Sequence, residues 1–248
     1  MVQTGNASHT NNWQAFWSSK SELFGTVMQK NAAFFTGILL KNQIIRPGQR
    51  ILDFGSGWGS LAIQLKGIVT HYQGLDISQA CIDTCKKKFI SEKQFHFDRI
   101  DASSPGLGLQ PLISTHEQFD LIIILSVIQY FDGVSNVQNL LSACKKLMGE
   151  KSKIILADVI QSDKGIMKDI VSNMKDSFKN GYFLSFIFFL FKARFSSYNQ
   201  IREKNNLLRL SEADLAKICQ ELELQYELMP TCTLQHSRVS YCITNGSL

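Results

Sequence analysis

Residues 51–60, ILDFGSGWGS, restrict the fold more than any other part of this chain. A short apolar stretch that reads as a buried strand runs into Gly55, Gly57 and Gly59, alternating with Ser56 and Trp58, and a helix start follows. Glycine takes positive φ angles without a steric penalty and lets the backbone approach a ligand closely. A strand, a glycine loop and a helix in that order therefore predict a ligand lying over the strand's edge. Asp53 sits at the strand's end, where such a ligand would meet a fixed carboxylate and free backbone N–H groups at the helix N-terminus.

Glycine loops of this kind occur in many doubly wound proteins, and the residues that follow narrow the choice. HYQGLDI reads as a second strand ending at Asp76, nineteen residues beyond Gly57, a reach that suits an acid accepting hydrogen bonds from a ribose diol. FHFDRIDA ends a third strand at Asp101. FDLIIILS is a nearly continuous apolar run, as expected of a strand buried on both faces of a parallel sheet, and it leads into SVIQYF.

With these four segments in order, the chain resembles the class I S-adenosylmethionine-dependent methyltransferases from about residue 13 to residue 244. The matching motifs are DFGSGWG, the acid of LDIS, the acid of RIDAS and FDLIIILSVIQYF. The resemblance implies S-adenosyl-L-methionine as cofactor. Asp53, Gly55, Ser56 and Gly57 would lie at its methionine part, Asp76 and Ile77 at the ribose, Asp101 and Ala102 at the adenine, and Ser126 at the tip of the fourth strand. A dinucleotide-binding dehydrogenase is the alternative, but the third glycine of its G-x-G-x-x-G falls on Ser60 here. Asp76 and Asp101 could also serve as caps for the turns that follow them.

The order of segments predicts an α/β fold, a doubly wound and mostly parallel seven-stranded sheet, and the resemblance implies that its last strand runs antiparallel beside the sixth. Strands are expected at 51–54, 71–77, 95–101, 119–126 and 153–159, then in LELQYELM and RVSYCITN. Helices should follow Trp58, begin at Ser78 and Val134, and open at SEADLAKICQEL with Ser211 as N-cap. With 248 residues, 44% of them hydrophobic, one domain can hold the whole chain. Residues 12–42 carry a helical apolar stripe, and residues 1–46 read as an N-terminal cover. Trp13, Phe16 and Trp17 would close over the cofactor or simply pack on the sheet.

Residues 163–209 break the strand–helix rhythm and read as a helical lid over the strands' C-terminal edge. They hold nine basic and four acidic residues, a net of +5, which equals the charge of the whole chain, around the apolar run FLSFIFFLF. Charge and apolarity together suit an apolar small-molecule acceptor with an anionic end, an acidic carrier protein or a membrane surface. They also fit a lid whose phenylalanines fill its own core. No nucleic-acid motif accompanies the charge. The nine-residue apolar run is far shorter than the ~20 residues that span a bilayer. Scattered cysteines and histidines give no metal-binding or disulfide pattern, and no secretory leader is visible, so a reducing, cytoplasmic setting and no metal are expected.

For catalysis the candidates at the C-terminal edge are Tyr130 after the fourth strand, Asp158 at the end of the fifth, and His236 between the last two. An imidazole titrates near neutral pH and would serve as base. The reading is a small-molecule methyltransferase acting on oxygen of a natural product or lipid-like acceptor. The rival is a non-catalytic protein that keeps the fold as a cofactor-binding scaffold.

Overall fold

The computed structural model describes residues 22–101, 105–161, 207–234 and 237–246. Seven strands form one sheet: β1 (Arg50–Phe54), β2 (His71–Asp76), β3 (Phe95–Arg99), β4 (Phe119–Leu125), β5 (Met148–Val159), β6 (Leu224–Leu228) and β7 (Val239–Asn245). Their order across the sheet is β3-β2-β1-β4-β5-β7-β6. The first five pair in parallel, and β7 runs antiparallel to both β5 and β6. The last strand thus lies beside the sixth as expected and also separates it from the fifth.

Among the described residues six α-helices accompany the sheet: α1 (Glu22–Lys41), α2 (Ser60–Gln64), α3 (Gln79–Lys88), α4 (Gln110–Ser114), α5 (Val134–Lys146) and α6 (Glu212–Glu221). Alternate residues of the central strands bury into opposite faces. Ile51, Leu121 and Ile123 join Phe35 and Leu39 of α1 and Ile82 and Cys85 of α3 in one cluster. Leu52, Ile122 and Ile124 join Val137, Leu140 and Leu141 of α5 and Leu215 and Ile218 of α6 in the other. Burying each such side chain contributes about 1.5–3 kcal/mol, so the apolar run of β4, covered on both sides, anchors the two layers. Two of the four helix starts read from the sequence carry side-chain caps: the Ser78 hydroxyl accepts from the Cys81 N–H, and Ser211 and Asp214 form a reciprocal capping box.

Several elements differ from the sequence reading. Strand β5 starts at Met148 rather than Lys153, because Met148 pairs with Phe119 across a register shift that the polar MGEKS does not reveal. Between β3 and β4, where the sequence reading placed no element, lie a 3₁₀ turn at Leu107–Leu109 and helix α4, in whose first turn Pro111 sits. Proline there gives up an N–H that has no helical partner anyway. Trp13, Phe16, Trp17, Ala102, His236 and residues 163–206 of the expected lid lie outside the described residues. All six cysteines are buried free thiols. No helix among the described residues is long and apolar enough to cross a membrane.

Candidate active site

The strand order reverses between β1 and β4, so the C-terminal tips of these strands open a crevice of the kind in which α/β sheets bind ligands. The glycine loop fills the β1 side. Gly55 and Gly57 have φ angles of 88° and 51°, in the region that side chains disfavour. A Cβ on Gly55 would lie 2.3 Å from Val127 Cγ2, whereas one on Gly57 would meet only the Met28 Cε of α1, at 3.7 Å. Four of the loop amides are taken up within the protein. Gly55 and Ser56 N–H both donate to the Leu75 carbonyl, Gly57 N–H to Asp76 Oδ2 at 2.9 Å, and Gly59 N–H to the Ser56 carbonyl. The Cys85 thiol donates to the Gly57 carbonyl and Lys88 Nζ to that of Trp58. These four amides are satisfied internally, so at their positions the loop offers a ligand space rather than donors. Nor does α2, with five residues, supply an extended helix N-terminus.

Three acids follow along the tips of β1, β2 and β3. Asp53 is 3% exposed and accepts a hydrogen bond from the Tyr72 hydroxyl. Burial pushes its carboxyl up to about 7, against the lowering effect of that bond, and the nearby Asp76 adds to the rise. Asp76, 8% exposed, accepts Gly57 N–H on one oxygen and Ser78 N–H, at 2.8 Å, on the other. Burial raises its carboxyl too, and the backbone hydrogen bonds oppose the rise. The capping role weighed for Asp76 is therefore real, yet a carboxylate has about four lone-pair sites, so room for a ligand's donors remains. Ile77 is partly buried against the core, and Asp101 is exposed two residues past the end of β3.

On the far side of the switch point, Ser126 and Asp158 occupy neighbouring tips of β4 and β5. Both take left-handed backbone angles, with φ of 59° and 64°, and Ser126 Oγ donates to Asp158 Oδ2 at 2.6 Å. Arg238, entering β7, places Nε 4.0 Å from Asp158 Oδ1. After Ser126 comes a 3₁₀ turn, Ile128–Tyr130, whose Gln129 carbonyl accepts from the Leu208 N–H, so the chain past residue 206 returns to this edge. The structure thus brings Asp53, Ser56, Gly57 and Asp76 together around the glycine loop, and joins Ser126 to Asp158. Sequence reasoning missed Tyr72, Val127, Cys85 and Arg238. Of these only Val127 sits in a quoted motif, FDLIIILSVIQYF, and each enters the site through strand register or helix packing.

The geometry fits an adenosyl-methionine ligand in two respects. The Ser56 hydroxyl is buried with no hydrogen-bond partner, and a buried carboxylate stands beside the loop for a cationic group. Residues 52–153 match the family model described as a methyltransferase domain. The matched stretch, less than half of the chain, reads as a methyltransferase domain. In sequence, this domain is similar to the probable non-canonical nonribosomal peptide synthetase CymA of Salinispora arenicola (strain CNS-205), 29% identical over 110 residues. That match covers 44% of this chain and 1% of that much longer protein. Among solved structures, the DhpI–SAH complex superposes with a TM-score of 0.60 at 11% identity, covering 98% of this chain and 100% of the other. Magnesium protoporphyrin IX methyltransferase from Synechocystis PCC 6803 with bound SAH gives 0.54 at 17% identity, covering 96% and 94%. At such identities the likeness is one of fold.

Proposed function

We propose that the chain transfers the methyl group of S-adenosyl-L-methionine to oxygen of a small, largely apolar acceptor of the natural-product or lipid-like class. The observation that carries this reading is the buried Asp53 carboxylate beside a loop of left-handed glycines at the sheet's switch point. Burying a carboxylate is costly unless a partner offsets it, and a scaffold that bound no cofactor would have no use for one there.

In this reading Asp53 pairs with the cofactor's ammonium, Asp76 accepts from the ribose hydroxyls through its remaining lone pairs, and Asp101 with Ala102 borders the adenine. Gly55 and Gly57 keep side chains out of the way, Ser56 and Ile77 line the loop and ribose, and Trp17 covers the site. The bound cofactor supplies an activated methyl group, and the protein's task is to hold the acceptor in line with it. Ser126 fixes the rotamer of Asp158, which takes the proton of a hydroxyl acceptor. A phenol is protonated at neutral pH, so Tyr130 orients the acceptor rather than removing its proton. His236 is the alternative base. The similarity to a peptide synthetase and the +5 charge of residues 163–209 support an acceptor delivered by an acidic carrier protein, or one held at a membrane surface.

Calorimetric titration with S-adenosylhomocysteine tests the cofactor assignment, and turnover with a panel of hydroxyl, carboxyl and amine acceptors, free and carrier-bound, tests the reaction. Binding without turnover on any acceptor would favour the scaffold reading, and no binding would sink both.

A further inference from the structure

We propose that Tyr72 is a positioning residue of the cofactor site: without touching the ligand, its hydroxyl fixes the orientation and charge of the Asp53 carboxylate that meets the cofactor's ammonium. The inference rests on the cofactor reading above and adds a residue that no motif contains. Tyr72 is fully buried on β2, where it stacks on Phe95 with ring centroids 5.1 Å apart and tilts against Phe97 at 5.7 Å. In the parallel register Tyr72 faces Ile51, two residues before Asp53 on the same face, while the partner of Asp53 itself is Gly74. Gly74 contributes no side chain, and the phenol reaches the carboxylate.

The groups around this carboxylate explain why such a donor matters. Asp76 adds negative charge from β2, the Cys85 thiol approaches from α3, Ile123 is its β4 neighbour, and Phe35, Ile38 and Leu39 of α1 pack in the same cluster. Tyr72 is thus the one group shown donating to Asp53 among the described residues. Burial holds the Asp53 carboxyl near 7, and the phenol hydrogen bond is what lowers it. An ammonium binds the ionised acid, so affinity is full at alkaline pH and falls as pH drops through the carboxyl's titration. Removing the phenol hydroxyl lets burial act unopposed and moves that fall to higher pH.

The test is S-adenosylhomocysteine affinity from about pH 6 to about pH 8.5 in the full chain and in Tyr72→Phe, which keeps the buried ring. The parent should lose affinity towards the acid end. Tyr72→Phe should lose about tenfold more near neutral pH and approach the parent at the alkaline end. An analogue lacking the α-amino group should bind both proteins alike and without the acid limb. Equal loss at every pH, or no loss, would show that Tyr72 merely packs and would overturn the proposal. A flat profile in the parent alone would overturn it even if the variant failed to fold. Asp53→Asn separates the two levels: if it leaves affinity unchanged, the assignment of Asp53 to the cofactor fails, whereas weakened binding by Asp53→Asn with an unaltered Tyr72→Phe profile removes only the role of Tyr72.

Discussion

Replacing Gly55 with alanine should destabilise the fold itself, and Gly57→Ala should do so far less, although both glycines stand in one loop. At Gly55 the new methyl group would begin 2.3 Å from Val127 Cγ2, well inside any van der Waals contact, at a φ of 88°. The left-handed conformation costs a non-glycine residue about 1–2 kcal/mol, and forcing a methyl into a packed site costs about 1–3 kcal/mol more. Together they amount to about 2–5 kcal/mol, a drop in melting temperature of roughly 5–15 °C for a chain of this size. At Gly57 the new methyl meets the Met28 Cε at an ordinary 3.7 Å, and only the backbone cost applies. Thermal denaturation followed by circular dichroism measures both. Because the overlap at Gly55 involves the Val127 methyls, a cycle with Val127→Ala should show a favourable coupling of about 1–3 kcal/mol for Gly55→Ala and none for Gly57→Ala. Equal melting temperatures for the two glycine variants, with no coupling to Val127, would refute the close approach of the β4 tip to the glycine loop.

Asp76→Asn removes the charge and keeps an acceptor for only one of the Gly57 and Ser78 amides, so S-adenosylhomocysteine should bind roughly tenfold to a hundredfold more weakly, the worth of charge-assisted hydrogen bonds; unchanged affinity in a folded variant would end the ribose assignment. His71 is held down to about 4 from 6.5 by burial, then by Arg50 and His96, so the unfolded chain binds more protons between those values and stability falls as pH falls through that window. His71→Gln should melt with a shallower pH dependence over the same range, and an unaltered slope would contradict this. Glutamine at Lys175, Lys179, Lys192 and Arg194 should leave S-adenosylhomocysteine affinity unchanged and weaken association with anionic vesicles or an acidic carrier protein, an effect that added salt reproduces in the parent. If association survives the four changes, the basic surface is merely solvated. Ser126→Gly should leave the melting temperature within a few degrees of the parent, since relief of the left-handed strain offsets the lost hydrogen bond to Asp158, while turnover falls with cofactor affinity intact; unaffected turnover would remove Ser126 from the acceptor side.

The glycine loop, the three acids and the apolar fourth strand were legible because each is a local pattern whose cause is local. Glycines mark positive φ, an acid marks a strand tip, and an unbroken apolar run marks burial on both faces. The caps at Ser78 and Ser211 were legible for the same reason, since a hydroxyl three residues before its donor needs no tertiary information. What the sequence hid depends on pairing between distant segments. That Val127 seals Gly55 follows from the β1–β4 register, and that Tyr72 reaches Asp53 follows from the β1–β2 register. That the Leu75 carbonyl and the Asp76 carboxylate, both from β2, take up three of the loop amides was hidden for the same reason. The insertion of β7 between β5 and β6 is likewise a matter of packing order, on which the two strands' own residues are silent.

Backbone strain separates the two halves of the site in a way that side-chain contacts alone do not. Five described non-glycine residues have positive φ: Gln43, His116, Ser126, Asp158 and Glu223. Gln43, His116 and Glu223 each lie two residues past the end of a helix, where a left-handed residue is a common way to stop the helix and satisfy its last carbonyls. Ser126 and Asp158 end no helix. They sit side by side at the tips of β4 and β5, and the hydrogen bond between them and the antiparallel β7 hold them there. Strain of about 1–3 kcal/mol per residue persists only where surrounding structure over-determines it. On the β1–β2 side the left-handed positions are glycines and incur no such cost, and four of the loop amides donate within the protein. The half assigned to the cofactor is therefore relaxed and pre-formed. The half assigned to the acceptor holds a carboxylate in a strained, fixed pose, as a proton acceptor aligned with an incoming hydroxyl requires.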